Sequence, residues 1–167
     1  MTTTAITAAP LYDSFALHGS SVSLVTVYDD DHRFFVAGSV LTASVDPFAL
    51  AVSVGRTRAA LPAMLSGRAW ALSILAAQHL PLVRALTGST RPEERRAALT
   101  AAGAAESPEG PLVLPDALTT FWCRTSSSTT VHDQELVVGD VLRATTPNDD
   151  EPLLRWNHRF HTASALE

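Results

Sequence analysis

Apolar and polar residues alternate along several short stretches of the chain, which is the pattern of half-buried β-strands. Residues 22–28 and 69–75 show this alternation, and residues 48–54 form a more continuous apolar run. Charged residues 29–31 separate the first strand from a returning strand over residues 33–40, and Asp46-Pro47 interrupts the chain before the apolar run. The pattern therefore predicts a β-hairpin followed by two further core strands.

Helical spacing is confined to the middle of the chain. Thr57 stands where it would cap a short helix over residues 59–65, with Pro62 near its first turn. Residues 78–86 have helical periodicity and precede Gly88. A third helix is predicted from Pro92 to about Ala102, because proline and acidic residues favour a first turn and Gly103 follows.

The C-terminal third returns to the pattern of strands. Residues 118–126 and 135–145 are predicted strands, with the polar residues 126–130 as the turn between them. Residues 106–111 and 147–150 are predicted to be loops. About six short strands joined by short turns favour a mainly β fold, an antiparallel barrel with a few short helices. GxGxxG after a first strand is absent, which disfavours a Rossmann nucleotide site.

Length and composition fit one folded domain. The chain has 167 residues, of which 46% are hydrophobic, enough for a core. We expect residues 1–10 to be a flexible leader and residues 11–167 to form a single domain. The leader lacks the basic region and apolar core of a secretory signal. Cytoplasmic residence is the default expectation.

Charge and reactive residues narrow the function classes. A net charge of −5 argues against a nucleic-acid partner, and the twelve basic residues are all arginines scattered along the sequence. The absence of lysine excludes Schiff-base and P-loop chemistry. Cys123, the single cysteine, falls in a strand pattern and is expected to be a buried structural thiol.

Two segments carry residues that suit an anionic ligand. The small residues 36–39 allow a close approach to the backbone, and Ser39 with exposed N–H groups can bind a phosphate. Residues 53–58 end a strand with Ser53, Arg56 and Arg58, and arginine binds phosphate through paired donors. If the two strands are neighbours, both sets converge on one ligand. The alternative is a bulge at Gly38 and solvated arginines at a strand end.

The tail gathers histidine, arginine and aromatic residues over residues 152–161. His158 and His161 are three positions apart, but a zinc site needs further ligands and the sequence shows no suitable spacing. A polar strand end and a contact to nicotinamide or flavin are the other interpretations. A catalytic triad has little support, since GxSxG is absent and His132 and Asp133 are neighbours in sequence only.

Six blocks, taken in order, resemble the short flavin reductases that supply reduced flavin to two-component monooxygenases. The resemblance covers residues 11–163, and its blocks are residues 22–26, 39–47, 52–56, 70–75, 133–141 and 152–161. It implies a split antiparallel β-barrel of the FMN-binding, Greek-key type. It also implies a homodimer in which two subunits build the site.

The implied activity is reduction of FMN or FAD by NADH or NADPH, with a partner monooxygenase receiving the reduced flavin. Hydride passes from nicotinamide C4 to flavin N5 across roughly 3–3.5 Å, and no side chain need act as acid or base. The resemblance places the flavin against one loop, its phosphate against a second, and the nicotinamide against the tail. These cofactor-binding candidates are Val36, Ala37, Gly38, Ser39, Val40, Ser53, Arg56, Thr57, Arg58, Arg159, Phe160 and His161.

Three positions depart from the family pattern. Gln134 replaces a frequent histidine, and His132, two positions earlier, would point the same way in a strand. Arg58-Ala59-Ala60 replaces a Ser-Ser-Thr stretch, and His158 replaces a glycine. The competing hypotheses are a flavin carrier or sensor without turnover, a flavin-dependent oxidase, and a dimeric interaction module without flavin.

Overall fold

A seven-stranded antiparallel sheet is the centre of the fold in the computed structural model, which describes residues 8–166. Its strands follow the spatial order β3-β2-β6-β9-β10-β5-β4. Their bounds are β2 Ser23–Asp29, β3 Asp31–Ala37, β4 Val40–Val45, β5 Phe48–Gly55, β6 Ala69–Ile74, β9 Thr119–Val131 and β10 Gln134–Ala144. Only β2-β3, β4-β5 and β9-β10 are sequential hairpins, so the remaining pairs are crossovers of Greek-key type.

The sheet curls around one core. Apolar side chains from both ends of the strand order, such as Phe35 of β3 and Val52 of β5, belong to the same buried cluster as Trp70 and Val137. The short helix α2, Leu61–Leu65, packs its buried Leu61 and Met64 against this cluster. The edge strands β3 and β4 follow one another in the chain through Gly38 and Ser39. The fold is therefore a split barrel, as predicted.

A second core lies on the other side of β2. Leu24 of β2 and Leu75 pack there against the buried faces of two helices, α3 Leu80–Gly88 and α4 Pro92–Ala101. The 3₁₀ turn Ala77–His79 leads into α3. A two-stranded ribbon of β7 Ala105–Glu106 and β8 Leu112–Val113 follows α4. No helix among residues 8–166 is long and apolar enough to span a bilayer.

A small three-stranded sheet joins the two ends of the described chain. The tail forms a hairpin of β11 Leu154–Trp156 and β12 Arg159–His161, and β11 also pairs with β1 Ser20–Ser21. Helix α1, Ala8–Phe15, precedes β1 and buries none of its side chains. The tail hairpin is nevertheless fixed to the segment after α1, because Asn157 N donates to Ala16 O at 2.7 Å and Trp156 Nε1 donates to Leu17 O at 3.1 Å.

The strand predictions for residues 22–28, 48–54 and 69–75 are confirmed, and helices occur in all three predicted places. Residues 126–130 are not a turn. They belong to β9, and the reversal falls at His132, whose φ is 53°. The turn prediction for residues 126–130 failed because this end of the β9-β10 hairpin is solvent-exposed. Its strands therefore need no alternation of apolar and polar residues.

Some smaller features of the structure were not expected from the sequence. Thr57 does not cap α2, whose N-cap is Ala60 without a side-chain bond. Strand β4 was not predicted, and the predicted loop 106–111 begins in β7. Residues 1–7 of the predicted leader lie outside the described residues, whereas residues 8–10 are the start of α1. The single-domain assignment of residues 11–167 stays a prediction.

Candidate functional site

The two segments predicted to bind phosphate do meet in the structure. β4 pairs with β5 so that Val40 lies opposite Val52, and Ser53 N donates to Ser39 O at 3.1 Å. Gly38 and Ser39 are exposed, and Ser53 is half-buried. The link between β3 and β4 therefore lies directly beside the end of β5.

The turn that follows β5 presents two guanidinium groups. Arg56 N donates to Asp133 O at 3.0 Å and Arg58 N donates to Gly55 O at 2.9 Å, which fix the backbone. The Arg58 guanidinium lies 5.0 Å above the Phe35 ring, a cation–π contact. In the described part of the chain, neither Arg56 nor Arg58 has a carboxylate within 4.0 Å. Both groups, like the neighbouring Thr57, are exposed and available to an anion.

The predicted flavin loop contributes backbone more than side chains. Ala37 is buried in the barrel core, and the half-buried Val36 packs against the second core. Val40 is half-buried against the barrel core. A Cβ added at Gly38 would lie 3.3 Å from Ser20 Oγ, so a side chain there would crowd β1. The packing of this loop against β1 thus favours glycine at position 38.

Gln134 adjoins the same site. Its Oε1 accepts a hydrogen bond from Ser53 Oγ at 3.4 Å, and Gln134 is paired with Gly55 across β10 and β5. The sequence suggested that His132 lies in a strand and points the same way as Gln134. The structure contradicts this. His132 lies in the exposed turn after β9, where its carbonyl is 3.5 Å from Arg56 Nη1.

The tail reaches this region through β1. Ser20, which neighbours Gly38, pairs with Arg155 in β11, and Arg155 pairs with Phe160 in β12. The Arg155 guanidinium lies 4.7 Å from the centre of the Phe160 ring. Phe160 also packs against the second core. Arg155 was missed from the sequence, because only the strand register brings it beside Ser20.

His161 has one ring nitrogen without a partner. Nε2 of this half-buried residue is shielded from solvent and has no hydrogen bond among the described atoms, while the ring meets Trp156 edge-on at 5.5 Å. Buried polar atoms nearly always have partners, so an unsatisfied nitrogen suggests a missing one. Arg159 is exposed, and His158 is 3.3 Å from the Asp13 carboxylate. His158 therefore fixes the hairpin to α1.

Two other kinds of site, a nucleophilic cysteine and a metal site, lack support among the described residues. Burial raises the pKa of the Cys123 thiol to about 12, so this residue is a structural thiol, as predicted, and a poor nucleophile. Across residues 8–166 there is no group of three or more His, Cys, Asp or Glu side chains that could hold a metal ion.

The described chain is thus a split barrel in which a small-residue loop lies beside an arginine-bearing turn. Residues 15–164 match the flavin reductase like domain, and the chain belongs to that family. It is 32% identical over 153 residues to the NADH:riboflavin 5'-phosphate oxidoreductase of Streptomyces pristinaespiralis, spanning 90% of this chain and 85% of that protein.

Solved structures support the same fold. BorF, the flavin reductase component of a bacterial two-component tryptophan halogenase, superposes with a TM-score of 0.85 at 22% identity, over 96% of this chain and 100% of BorF. The NADH:FAD oxidoreductase SgcE6 of Streptomyces globisporus, in complex with NAD and FAD fragments, gives 0.84 at 20% identity, over 93% and 92%. At these identities, the similarity establishes the fold.

Proposed function

We propose that the protein is an NADH-dependent flavin reductase that supplies reduced flavin to a partner monooxygenase. The observation that carries this function is the convergence of the Gly38-Ser39 link, Ser53 and the arginine-bearing turn after β5 in a member of this family. Neither Arg56 nor Arg58 has a carboxylate within 4.0 Å among the described residues. The Streptomyces pristinaespiralis relative is named for the same reaction with riboflavin 5'-phosphate.

The residues present suit a flavin nucleotide. Arg56 and Arg58 supply paired donors for a phosphate that bears about two negative charges, and Thr57 adds a hydroxyl. The open backbone at Gly38 and Ser39 admits a flat ring, and Ser53 with Gln134 forms a polar wall beside it. Bound flavin would accept a hydride at N5 from reduced nicotinamide, so the protein needs only to bind and align the two rings.

The tail is the proposed nicotinamide side of the site. The half-buried His161 is the proposed contact to the carboxamide, and Arg159 and Phe160 are its neighbours in the same strand. Arg155, stacked on Phe160, holds the edge of this wall. The proposed substrates are FMN or FAD and NADH or NADPH, and turnover with each of them ranks the alternatives.

A homodimer is part of the proposal. Apolar side chains remain exposed along β4, β5 and β10, where Leu41 is 55%, Val45 80%, Phe48 38% and Leu142 47% accessible. A surface of this kind is typical of a protein interface. The cytoplasmic location stays a prediction.

The first test is to follow NADH absorbance in a mixture of the purified protein, NADH and an excess of FMN or FAD. Loss of absorbance that needs both protein and flavin supports the reductase and ranks the two flavins. Flavin binding without turnover, with NADPH also tried, would refute it and support a carrier or sensor in which Gln134 replaces the family histidine.

Two variants separate the two sides of the site. His161→Ala should raise the KM for the nicotinamide nucleotide while flavin binding changes little. Arg56→Ala should raise the Kd for flavin, measured by quenching of flavin fluorescence. Unchanged values in either variant would remove that residue from the site.

A further inference from the structure

A cavity that Arg58 helps to line includes neither Ser39 nor Ser53 in its walls. Its volume is about 300 Å³, at the lower end of small-ligand sites. Its walls come from β3, from the turn that follows β5 and from the start of α4. The lining includes Arg33, Phe34, Phe35, Arg58, Arg95 and Arg96.

The charge of this cavity is unusual for an acidic chain. Four of the twelve arginines line it although the protein carries a net charge of −5. Asp31 pairs with Arg33 at 3.3 Å and with Arg96. The hydrogen bond from Arg96 is the main cause of the lowered pKa of Asp31. Among the described residues, Arg58 and Arg95 have no carboxylate within 4.0 Å. One carboxylate, Asp31, therefore pairs with two of the four guanidinium groups, and Glu106 lies 4.0 Å from Nε2 of the lining residue His32.

Two nitrogen atoms at the cavity are shielded from solvent and unpaired. They are Nε of Arg95 and Nδ1 of His32. The Arg95 head is held in place, since its Nη2 donates to Phe34 O at 3.4 Å and its Cζ lies 5.1 Å from the Phe34 ring centre. The Arg95 guanidinium is therefore a positioned positive charge in the cavity wall, with no carboxylate within 4.0 Å among the described residues to neutralise it.

We propose that this cavity binds a phosphoryl group of a dinucleotide, beyond the flavin 5′-phosphate. The inference rests on the proposed function, in which Arg58 borders the flavin phosphate. Arg58 lines this cavity and also belongs to the proposed grip on the flavin phosphate, so the cavity adjoins the proposed flavin site. Ala59 and Ala60, where the family pattern has hydroxyl residues, contribute small apolar side chains to the same cavity wall. The group comes from the adenylate half of FAD or from the nicotinamide dinucleotide.

The first experiment needs no turnover. Titration calorimetry with ADP, 2′,5′-ADP and uncharged adenosine is run on the wild type, on Arg95→Gln and on Arg84→Gln. Arg84 is exposed on α3 and lies outside the cavity, so its variant removes the same charge elsewhere. We expect Arg95→Gln to weaken ADP by at least about tenfold, the loss expected for a charge-assisted hydrogen bond, and Arg84→Gln to leave it unchanged. Equal ADP affinity in Arg95→Gln and the wild type, or no preference for ADP over adenosine, would overturn the proposal.

The second experiment identifies the source of the phosphoryl group. In Arg95→Gln, a raised KM for FAD with unchanged FMN assigns the cavity to the adenylate of FAD. A raised KM for NADH and NADPH assigns it to the nicotinamide dinucleotide, and a rise for NADPH alone assigns it to the 2′-phosphate. Equal rises for FMN and FAD would place Arg95 at the flavin 5′-phosphate and refute the assignment.

Folding and function are controlled separately. If Arg95→Gln melts at a lower temperature than the wild type, Arg96→Gln replaces it, because the Arg96 side chain is 48% exposed. If the wild type binds ADP but does not oxidise NADH, the proposed function alone is refuted. If the wild type oxidises NADH but ADP binding is unchanged in both Arg95→Gln and Arg96→Gln, the assignment of the cavity alone is refuted.

Discussion

Gly139 of β10 has no room for a side chain. A Cβ built at this position would lie 2.3 Å from Cζ2 of Trp70 and 3.0 Å from Cβ of Cys123. Carbon atoms in contact prefer about 3.5–4.0 Å, so one of these neighbours has to move by more than about 1 Å in a Gly139→Ala variant.

The Trp70 ring cannot move freely. Trp70 is fully buried, and its Nε1 donates to Thr125 Oγ1 at 3.1 Å, while Thr125 Oγ1 donates to Met64 O at 2.6 Å. Overpacking a core costs about 1–3 kcal/mol. Breaking the indole hydrogen bond adds about 1–3 kcal/mol, because the donor stays buried. We expect Gly139→Ala to lose about 3–4 kcal/mol of unfolding free energy, a fall of roughly 10 °C in Tm for a domain of this size.

Urea denaturation followed by tryptophan fluorescence measures this loss. Gly88→Ala at the end of α3 is the matched control, since its added Cβ meets nothing within 4 Å and its stability should stay equal or rise by up to about 1 kcal/mol. Trp70→Phe in the Gly139→Ala background should recover part of the loss, because the smaller ring vacates the Cζ2 position. A loss below about 1 kcal/mol, or strictly additive effects of the two substitutions, would refute the packing argument.

Two further predictions concern ionisable groups. With a pKa of about 12, the Cys123 thiol should not react with a disulfide reagent at pH 8 in the native protein but should react fully in denaturant; rapid native labelling would contradict its burial. Hydrogen bonds from Thr130 and Ser128, with the charge of Arg56, hold the pKa of Glu135 below its usual 4.5, so this stabilisation is present above pH 4.5 and is lost as pH falls below it. Thr130→Val should therefore be less stable than the wild type at pH 7, with the difference narrowing on acidification, and a pH-independent difference in urea midpoints would exclude this coupling.

Local pattern was enough to predict most of the barrel. Residues 22–28 and 69–75 alternate because one face of each strand meets the barrel core, and this constraint is visible in any short window. The pattern did not predict residues 126–130 correctly, because the hairpin extends beyond the core there and both of its faces are solvent-exposed. Strand β4 was missed for a related reason, since its residues are mostly exposed and lie at the edge of the sheet.

Sequence placed the candidate site better than it placed the surrounding charges. From the sequence, the proximity of Ser39 and Ser53 depended on the condition that their strands are neighbours, and the structure meets that condition. The arginines appeared scattered because Arg33, Arg58 and Arg95 are separated by 25 or more residues, and no short window contains their meeting point. Only the packing of α4 against β3 reveals that they share one cavity.

The tail hairpin has a consequence for biosynthesis. β1 pairs only with β11 in the described part of the chain, and Trp156 Nε1 bonds to Leu17 across a separation of 139 residues. A nascent chain on the ribosome can close the early hairpin β2-β3 long before residues 152–161 emerge, but the small sheet and the proposed nicotinamide wall must wait for them. Assembly of the small sheet is thus a late step of folding relative to the β2-β3 hairpin, because it requires contacts between segments about 135 residues apart.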